Sequence, residues 1–484
     1  MKWEAVMGLE VHAELSTKTK IFCGCTTAYG GEPNTHVCPI CAGMPGTLPK
    51  MNLAVLEYAL RLGLALNCNI SKYCKFDRKN YFYPDLPKAY QVSQLYAPIC
   101  TDGFLEIEFD DTNGKQKKKI AIRQIHMEED AGKLVHDPRS GDTYMDYNRG
   151  CVPLLEIVSQ PDFRSAVEVT AYLEKLREVL LYLDICDCKM QEGSIRADIN
   201  LSVRPAGSRE LGVRTETKNM NSFKAIMRSI EYETARQIDI LEDGGQIIQE
   251  TRRWDDEKGK SYGMRSKENA QDYRYFPDPD LLPMQIDDER LLQVKTSLPE
   301  LAHQKRERYN LELGISESLA AVLTVHKNIS DLFEAIAKKS GHPAEAANLI
   351  TGEIMRLMNN TNMLPEDLSS VKRQELTSKL SVLIGLLIGS KINRSAYKET
   401  IEAVFVSGAD PESYIAEKGL LMVNDDASVI KAAEEVLAEN ADTAADYRAG
   451  KEKVFGFLMG QMMKKLKGKG NPEIAKKILQ EKLK

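Results

Sequence analysis

The side-chain pattern of the chain changes near residue 294, and this change restricts the possible folds more than any other feature. Before it, segments that alternate with period two, as half-buried strands do, lie between segments with helical apolar spacing. After it, Ala, Leu, Glu and Lys dominate, and helical spacing continues to the end of the chain. A mixed α/β region followed by helices alone predicts an α+β fold.

Periodicity and turn residues place the individual elements and the domains. Helices are predicted over 51–66 and 165–183, and strands over 6–12, 120–130, 194–204 and 212–219. Turn residues near 360–365 and 406–411 separate helical blocks in the second region. The predicted domains are therefore a mixed α/β domain at 1–293, a helical domain at 294–407 and a small helical tail domain at 408–484.

The charge is unevenly distributed along the chain. The net charge is −6, which argues against a surface uniformly adapted to nucleic acid. Residues 450–484 nevertheless hold ten lysines and three acidic residues, which permits a local nucleic-acid contact there. No stretch of 18 apolar residues is present, and the N-terminal residues do not resemble a signal peptide. We therefore expect no membrane span and a cytoplasmic location.

Four of the ten cysteines fall within residues 23–41, in the spacing C-x-C-x12-C-x-x-C. Two short pairs joined by a loop that can fold back can close a tetrahedral Zn²⁺ site. Cys23, Cys25, Cys38 and Cys41 are therefore predicted to bind a structural zinc ion, because four thiolates leave no open position for catalysis. The alternative is a set of free thiols in a glycine-rich loop. The other six cysteines are expected to be free thiols.

Each of the predicted strands carries polar side chains on one face. Residues two apart in a strand share a face, while the apolar residues between them point to the core. The shared faces consist of Glu10 and His12; of His126, Glu128 and Asp130; of Arg196, Asp198, Asn200 and Ser202; and of Arg214, Glu216 and Lys218. Clustered carboxylates repel one another unless cations bind between them, and Mg²⁺ often joins one or two carboxylates to a substrate phosphate.

This pattern leaves two interpretations open, a metal–phosphate cleft and a solvated sheet face. The interleaved Arg and Lys side chains suit the first, because they could stabilise charge on a transferring phosphoryl group. Taken singly, His126 and His136 are predicted to be structural rather than ligands. The chain has no P-loop, no G-x-G-x-x-G and no G-x-S-x-G motif, so ATP binding through the first two and a nucleophile elbow are not expected.

Longer segments resemble, in order, the B subunits of aspartyl/glutamyl-tRNA amidotransferases. The segment FDRKNYFYPDLPKAYQVSQ (76–94) looks like the signature of that family. The other matching segments are GLEVHAEL (8–15), EPNTHVCPICAGMPGTLP (32–49), HMEEDAGK (126–133), DYNRGCVPLLEIVSQPD (146–162), MQEGSIRADINLSVRP (190–205), TKNMNSF (217–223), QETRRWD (249–255), DYRYFPDPDLLP (272–283) and GFLMGQMMKKLKGKGNP (456–472). The resemblance covers essentially the whole chain.

The resemblance implies an enzyme that repairs misacylated Glu-tRNA(Gln) or Asp-tRNA(Asn). ATP would phosphorylate the side-chain carboxylate of the tRNA-bound amino acid, and ammonia would displace the phosphate to give the amide. It implies ATP, Mg²⁺ and structural Zn²⁺ as cofactors. An amidase-type A subunit would supply ammonia from glutamine, because no amidase-type Gly-Ser-rich signature is present here, and a small C subunit would complete the heterotrimer.

The resemblance also implies roles for particular residues. The catalytic residues would be Glu128, Glu10 and Lys79, and the Mg²⁺ ligands would be Glu10, His12, Glu128, Asp198 and Glu216. Glu129 would need a β-bulge to reach the same site, because its strand phase is opposite. Tyr81, Tyr83, Lys79 and Lys88 would shape the cleft or channel, unless the aromatic rings only belong to the core. The phosphate backbone of tRNA would meet Lys464, Lys465, Lys467 and Lys469, unless that segment is a solvated helix end.

Two other functions would use some of the same features. A non-enzymatic RNA-binding protein could be built on a zinc knuckle and a basic tail, and ATP turnover that requires a misacylated tRNA would separate it from the amidotransferase. A Mg²⁺-dependent nuclease could use the same carboxylates, but it would cleave the tRNA. The sequence does not determine which of the two misacylated tRNAs is the substrate.

Overall fold

Strands dominate the first part of the chain in a computed structural model that describes residues 2–112, 114–266, 272–422, 426–466 and 470–483. The described strands are β1 (Trp3–Glu14), β2 (Asn69–Ile70), β3 (Tyr73–Cys74), β4 (Asp77–Asn80), β5 (Tyr90–Ser93), β6 (Cys100–Asp111), β7 (Gly114–Glu129), β8 (Lys133–His136), β9 (Thr143–Asp146), β10 (Pro153–Ser159), β11 (Ile195–Pro205), β12 (Thr215–Lys218), β13 (Glu250–Asp255), β14 (Lys260–Ser266), β15 (Phe276–Pro277) and β16 (Met284–Gln285).

Nine of these strands form one sheet in the order β14-β13-β12-β11-β1-β10-β7-β6-β2. Neighbouring strands are antiparallel except for β12 and β13, which are parallel. The long strand β1 lies near the middle, between β11 and β10. Three small sheets complete this part: β15-β4-β5, β16-β3 and the hairpin β8-β9.

The strand register brings polar residues from different strands into rows. Glu10 of β1 lies opposite Asp198 of β11. One step along the same face, His12 lies opposite Glu156 of β10, which in turn lies opposite His126 of β7. Residues paired across an antiparallel ladder share a face, so these side chains project on the same side of the sheet.

Helices pack on the other face of the sheet. In this part of the chain they are α1 (Leu53–Ala65), α2 (Ala166–Tyr182) and α3 (Phe223–Glu242), and a fourth helix, α4 (Asp288–Ser297), contacts α1. α2 contacts β6, α3 contacts β11 and α1 contacts β7. The side chains of Asn52, Ser165 and Ser222 accept hydrogen bonds from the first-turn amides and so define where the first three helices begin. Between helices and sheet lie buried residues such as Leu9, Val11 and Ile157.

The described part of the second region contains helices only. They are α5 (Ala302–Leu313), α6 (Glu317–Leu323), α7 (Lys327–Ser340), α8 (Pro343–Asn348), α9 (Met355–Asn360), α10 (Ser370–Ile388), α11 (Arg394–Ser407), α12 (Pro411–Glu417), α13 (Asp426–Glu439), α14 (Ala441–Arg448), α15 (Phe455–Lys465) and α16 (Pro472–Leu483), with a π-helical segment at Leu349–Ile354 and short 3₁₀ segments at Pro365–Asp367 and Glu452–Val454. Its buried apolar residues form two separate clusters, one between Tyr309 and Ile415 and one between Val429 and Leu483.

The α+β class is confirmed, since a mixed α/β part precedes a helical part. The chain divides into the compact units Met1–Leu301 and Ala302–Lys484, and the three-domain division at 293 and 407 stays a prediction. The two predicted helices and four predicted strands are present, with ends shifted by a few residues. Arg214 is an exception, because β12 begins at Thr215 and Arg214 lies exposed before it.

Candidate active site

The first cluster of potential metal ligands consists of His12, Glu128 and Glu156, which come from β1, β7 and β10. Their ligand atoms lie within 4.8 Å of one another. Nε2 of His12 is 3.5 Å from Oε1 of Glu128 and 3.4 Å from Oε2 of Glu156. The Ser93 hydroxyl of β5 donates to Glu128 at 3.2 Å, so the small sheet β15-β4-β5 helps to fix this carboxylate. One imidazole and two carboxylates at these distances are a plausible donor set for a divalent cation.

Two histidines carry positive charge in this cluster. Burial alone would lower the pKa of His12, but the charges of Glu156 and Glu128 raise it to about 9. His126 lies 2.8 Å from Glu156, and the same two carboxylates raise its pKa to about 10 against the effect of burial. The pKa of Glu156 is held well below its usual value by the two imidazoles, although burial acts in the opposite direction. The positive charges of His12 and of the adjacent His126 therefore balance the negative charges of the two carboxylates without a metal ion.

The second cluster consists of Glu10, Asp198 and Glu216, from β1, β11 and β12. Asn200 donates to Glu10 at 2.9 Å, and the Thr251 hydroxyl donates to Glu216 at 2.9 Å. Burial and the nearby charges of Glu156 and Glu216 raise the pKa of Glu10. Three carboxylate oxygens within 4.8 Å of one another form an oxygen donor set of the kind that Mg²⁺ prefers.

Lys218 supplies the ammonium that faces these carboxylates. Its Nζ lies 2.5 Å from Oδ2 of Asp198 and 3.0 Å from Oε1 of Glu216. Burial opposes the charged form, but the two carboxylates raise the pKa of Lys218 above its usual value. The side chain is 40% exposed, whereas those of Asp198 and Glu216 are 15% and 11% exposed.

The structure brings together all five residues predicted as Mg²⁺ ligands, but it separates them into these two clusters. Glu10 does not share a ligand set with His12, although the two are neighbours along β1. Glu156 completes the first cluster and was not predicted. The sequence signal for it was Leu155-Glu156-Ile157, in which one acidic residue stands between apolar residues within the segment 146–162 that resembles the family.

Glu129 points away from the first cluster, as its strand phase predicted. Its carboxylate binds Nζ of Lys88, which is 2.5 Å from both oxygens, and it accepts a hydrogen bond from the amide of Val92 at 2.8 Å. Only 1% of Glu129 is exposed. The irregularity in the pairing of β7 with β10 lies near Ser159 and does not turn Glu129 around.

Lys79 lies among aromatic rings rather than among acids. Its Nζ is 5.0 Å from the ring centre of Tyr273 and 5.7 Å from that of Tyr81, which are cation–π distances. Within the residues that the structure describes, Lys79 forms no ion pair with either cluster. Tyr83 of the same segment is 56% exposed and therefore does not belong to the core. The catalytic role of Lys79 stays a prediction.

A third polar group borders the first cluster and comes from β1, β11 and the segments just after β7 and just before β10. Arg196 binds Asp130 at 2.7 Å, and Arg149 approaches the same carboxylate at 3.5 Å. Burial and the charge of Asp130 raise the pKa of Glu14 to about 8, whereas the two guanidinium groups hold the pKa of Asp130 below its usual value against burial. His136, by contrast, is exposed in the hairpin β8-β9 and pairs with Thr143 at 2.8 Å.

The four sulfur atoms of Cys23, Cys25, Cys38 and Cys41 lie within 4.8 Å of one another. The turn after Cys38 is fixed by backbone hydrogen bonds, and the amide of Cys38 points at Sγ of Cys41 at 3.2 Å. A hydrogen bond from Cys23, this amide and the ammonium of Lys20 lower the pKa of Cys41 to about 4. A thiolate held in place among three further thiols fits a structural zinc site.

Two of the four lysines predicted to meet tRNA are described by the structure. Lys464 is exposed at the end of α15. Lys465 is partly exposed, and its Nζ binds Glu435 at 3.1 Å and Glu439 at 2.6 Å, both on α13. Lys467 and Lys469 lie outside the described residues. Across the described ranges, no helix combines the length and the apolar character that crossing a membrane requires.

The fold and the site define a class, an α+β protein whose central sheet carries carboxylate-rich clusters suited to divalent cations. Two family models match the chain. The GatB/GatE catalytic domain matches residues 5–292, and the GatB domain matches residues 331–483.

Relatives cover the chain from end to end. The B subunit of the aspartyl/glutamyl-tRNA(Asn/Gln) amidotransferase of Lachnoclostridium phytofermentans is 57% identical over 479 residues, 99% of this chain and 98% of the relative. The proteins of the same name from Caldicellulosiruptor bescii and Thermoanaerobacter sp. are 52% and 51% identical and cover 100% of this chain and at least 99% of their own lengths. The chain belongs to the family of aspartyl/glutamyl-tRNA amidotransferase B subunits, and so to the tRNA-dependent amidotransferases, which are ligases that form a carbon–nitrogen bond.

Proposed function

We propose that this chain activates and amidates the side-chain carboxylate of misacylated Glu-tRNA(Gln), Asp-tRNA(Asn) or both. The observation that carries the proposal is the pair of adjacent clusters, His12-Glu128-Glu156 and Glu10-Asp198-Glu216, on one face of the central sheet. The relatives' shared name supports the substrate class.

The chemistry explains why ATP is needed. A carboxylate is a poor acyl donor, because oxide would have to leave; once the carboxylate is phosphorylated, phosphate leaves instead. Phosphoryl transfer depends on positioning and charge stabilisation rather than on a protein nucleophile. Magnesium ions would supply charge neutralisation between the carboxylates and the ATP phosphates. The chain's own contribution is to hold Glu128, Glu10 and their partners at fixed positions on strands.

Family membership supports the remaining parts of the proposal. Ammonia reaches this chain from an amidase-type A subunit, with a small C subunit completing a heterotrimer in the cytoplasm. Lys79 and Lys88 are proposed to line the path or the cleft. Zinc bound by the four cysteines stabilises the loop at 23–41, and the tail with Lys464 contacts the tRNA backbone. The alternatives of a non-enzymatic RNA-binding protein and of a nuclease lose their support, because the chain belongs to a family of ligases.

The test is ADP formation by the full chain in its amidotransferase assembly, with Mg²⁺-ATP and without an ammonia source. Glu-tRNA(Gln), Asp-tRNA(Asn) and the two uncharged tRNAs are compared for wild type, Glu128→Ala and a control, Glu108→Gln. Glu108 lies on the same sheet but is exposed and paired with Lys117. ADP formation that requires a misacylated tRNA and Glu128, but not the Glu108 carboxylate, is expected. Equal ADP formation with charged and uncharged tRNA, in an assembly that binds both, would contradict the proposal.

A further inference from the structure

The Lys218 ammonium lies where a metal ion could bind in the second cluster. Its strand neighbour Thr217 pairs with Ile199, so Lys218 and Asp198 lie one residue further along adjacent strands. The ammonium is within 3.0 Å of an oxygen of Asp198 and of Glu216, the same two residues that would supply oxygens to a metal. A metal ion that binds these two carboxylates therefore meets the positive charge of the Lys218 ammonium, and the two cations compete for the cluster.

We propose that Lys218 is a further catalytic residue, which neutralises the Glu10-Asp198-Glu216 cluster in the absence of metal and moves to a phosphate oxygen of the nucleotide when a divalent cation enters. This inference rests on the proposed function, because it takes the cluster to be a metal site. It assigns a role to Lys218 and an order to the binding of metal and nucleotide, and the metal assignment alone includes neither.

The surroundings of the side chain permit the movement. Lysine has a flexible four-carbon stem and a point charge, so the ammonium can leave one acceptor and reach another without backbone change. The Lys218 side chain is 40% exposed, whereas the side chains of Asp198 and Glu216 are 15% and 11% exposed. The Lys218 side chain is therefore the most solvent-accessible of the three and has room to move.

Two of the three carboxylates, in contrast, are held in place by other donors. Asn200 holds Glu10 and Thr251 holds Glu216, each at 2.9 Å. Removal of Lys218 would thus leave Glu10 and Glu216 in place and the cluster less neutralised. If the ammonium competes with metal, its loss must strengthen metal binding; if it only maintains the geometry, its loss must weaken binding. The direction of the change separates these roles.

The first experiment measures Mn²⁺ binding by electron paramagnetic resonance to the full chain in its assembly, without nucleotide. Lys218→Met should bind Mn²⁺ at the second cluster about tenfold or more tightly than wild type, because a unit charge about 3 Å from the carboxylates is removed. Lys218→Arg keeps a cation and should show no increase. The increase should also disappear when Glu216→Gln is added to Lys218→Met.

A matched control is Lys118→Met. Lys118 lies on the same sheet and binds Glu168 at 2.8 Å, with a side chain 30% exposed. This change should leave Mn²⁺ binding unaltered. Unchanged or weaker Mn²⁺ binding by Lys218→Met would overturn the inference while leaving the metal site intact. No Mn²⁺ binding by wild type or by the variant would overturn the metal assignment, and with it the proposed function.

The second experiment uses the wild-type protein and therefore does not depend on how a variant folds. Amine acylation followed by mass spectrometry reports the accessibility of Lys218. Mg²⁺ alone should increase its labelling, and Mg²⁺ with a non-hydrolysable ATP analogue should reduce it again; Lys118 should not respond. No increase with Mg²⁺, in protein shown to bind Mn²⁺, would refute the competition. An increase that the ATP analogue does not reverse would refute the movement to phosphate.

Discussion

Glu156 is the residue whose replacement tests the electrostatics of the first cluster most directly. The change Glu156→Gln keeps the shape of the side chain and removes its charge. Its oxygen lies 2.8 Å from Nε2 of His126 and 3.4 Å from Nε2 of His12. Without that charge, burial of the His126 ring is opposed by Glu128, and burial of the His12 ring by Glu128 and Asp198. We expect the pKa values of both histidines to fall from about 10 and about 9 towards their usual value.

The magnitude follows from the shift of His12. Its pKa rises from 6.5 to about 9, a net shift that corresponds to about 3 kcal/mol in favour of the charged ring after the opposing effect of burial. Since Glu156 is the largest of the carboxylate contributors, ahead of Glu128 and Asp198, most of this net free energy should be lost in Glu156→Gln. The same interaction appears as the lowered pKa of Glu156, so it is counted once.

The sign of the effect on stability depends on pH. A histidine whose pKa is raised by folding stabilises the folded protein fully below its unfolded pKa, about 6.5, and this contribution is lost as pH rises through the folded value. For His12 that loss is centred near pH 9. In metal-free protein, Glu156→Gln should therefore lower the melting temperature most at pH about 6 and least at pH about 10.

Nuclear magnetic resonance of protein labelled with ¹³C-histidine can follow these titrations, because the chain has only seven histidines. Signals are assigned through His12→Gln and His126→Gln. Glu57→Gln, which removes a carboxylate paired with Arg61 on α1, is the control and should leave both titrations unchanged. Two histidines that still titrate near 9 and 10 in Glu156→Gln would refute the account, since another group would then hold their protons.

Three further predictions concern the rest of the chain. Cys41→Ser should lose the bound zinc and lower the melting temperature of the first unit, as measured by metal analysis and calorimetry; retention of stoichiometric zinc would contradict a four-sulfur site. Leu332→Ala, at a fully buried position of the helical core, should destabilise the second unit by about 2–5 kcal/mol in denaturant titrations, whereas Val371→Ala at an exposed position should change little. Lys464→Ala should weaken tRNA binding and reduce its salt dependence by about one phosphate contact, and an unchanged salt slope would exclude that contact.

The fold was largely predictable where local periodicity reports burial. Strands such as β11 alternate in burial along most of their length, so the pattern of 194–204 identified the strand and its polar face. Short elements gave no such signal, because two-residue strands like β2 and β15 contain no repeat. The boundaries between the many short helices of the second unit were visible only where turn residues interrupt the chain.

Glu156 was not predicted from the sequence, and the reason is physical. Leu154 and Val158 lie on the same face as Glu156, so the sequence around it is apolar on both faces and does not alternate, although burial alternates from Leu155 to Ser159. Leu154 in fact lies in a row between Glu14 and Glu128 on the polar face. When both faces of a strand carry apolar side chains, its sequence is a continuous apolar run. One acidic residue in such a run does not show which of its neighbours share its face.

The separation into two clusters could not be derived from single strands either. Spacing along β1 shows that Glu10 and His12 share a face, but only the pairing between strands shows that they lie in different rows. That register places Glu10 beside Asp198 and His12 beside Glu156. The register depends on how all neighbouring strands pack together, so the sequence of one strand alone does not show which residues of two strands lie opposite each other.

The two clusters differ in how their acids are neutralised, and this difference predicts the order in which they take up metal. Glu128 and Glu156 face two histidines whose pKa values are raised to about 9 and about 10, so a cation there must displace a proton from His12. The three carboxylates of the second cluster face the single ammonium of Lys218.

The second cluster therefore has the larger excess of acidic over cationic groups and should bind the first divalent cation. Its affinity should fall as pH falls, because the pKa of Glu10 is raised. The first cluster should bind more weakly and gain affinity as pH rises towards 9, since fewer His12 rings are then protonated. Mn²⁺ titrations of Glu216→Gln report the first cluster, and those of Glu156→Gln report the second. Tighter binding at pH about 7 in Glu216→Gln than in Glu156→Gln would show that charge balance does not set the order, and that ligand geometry or the histidine nitrogen does.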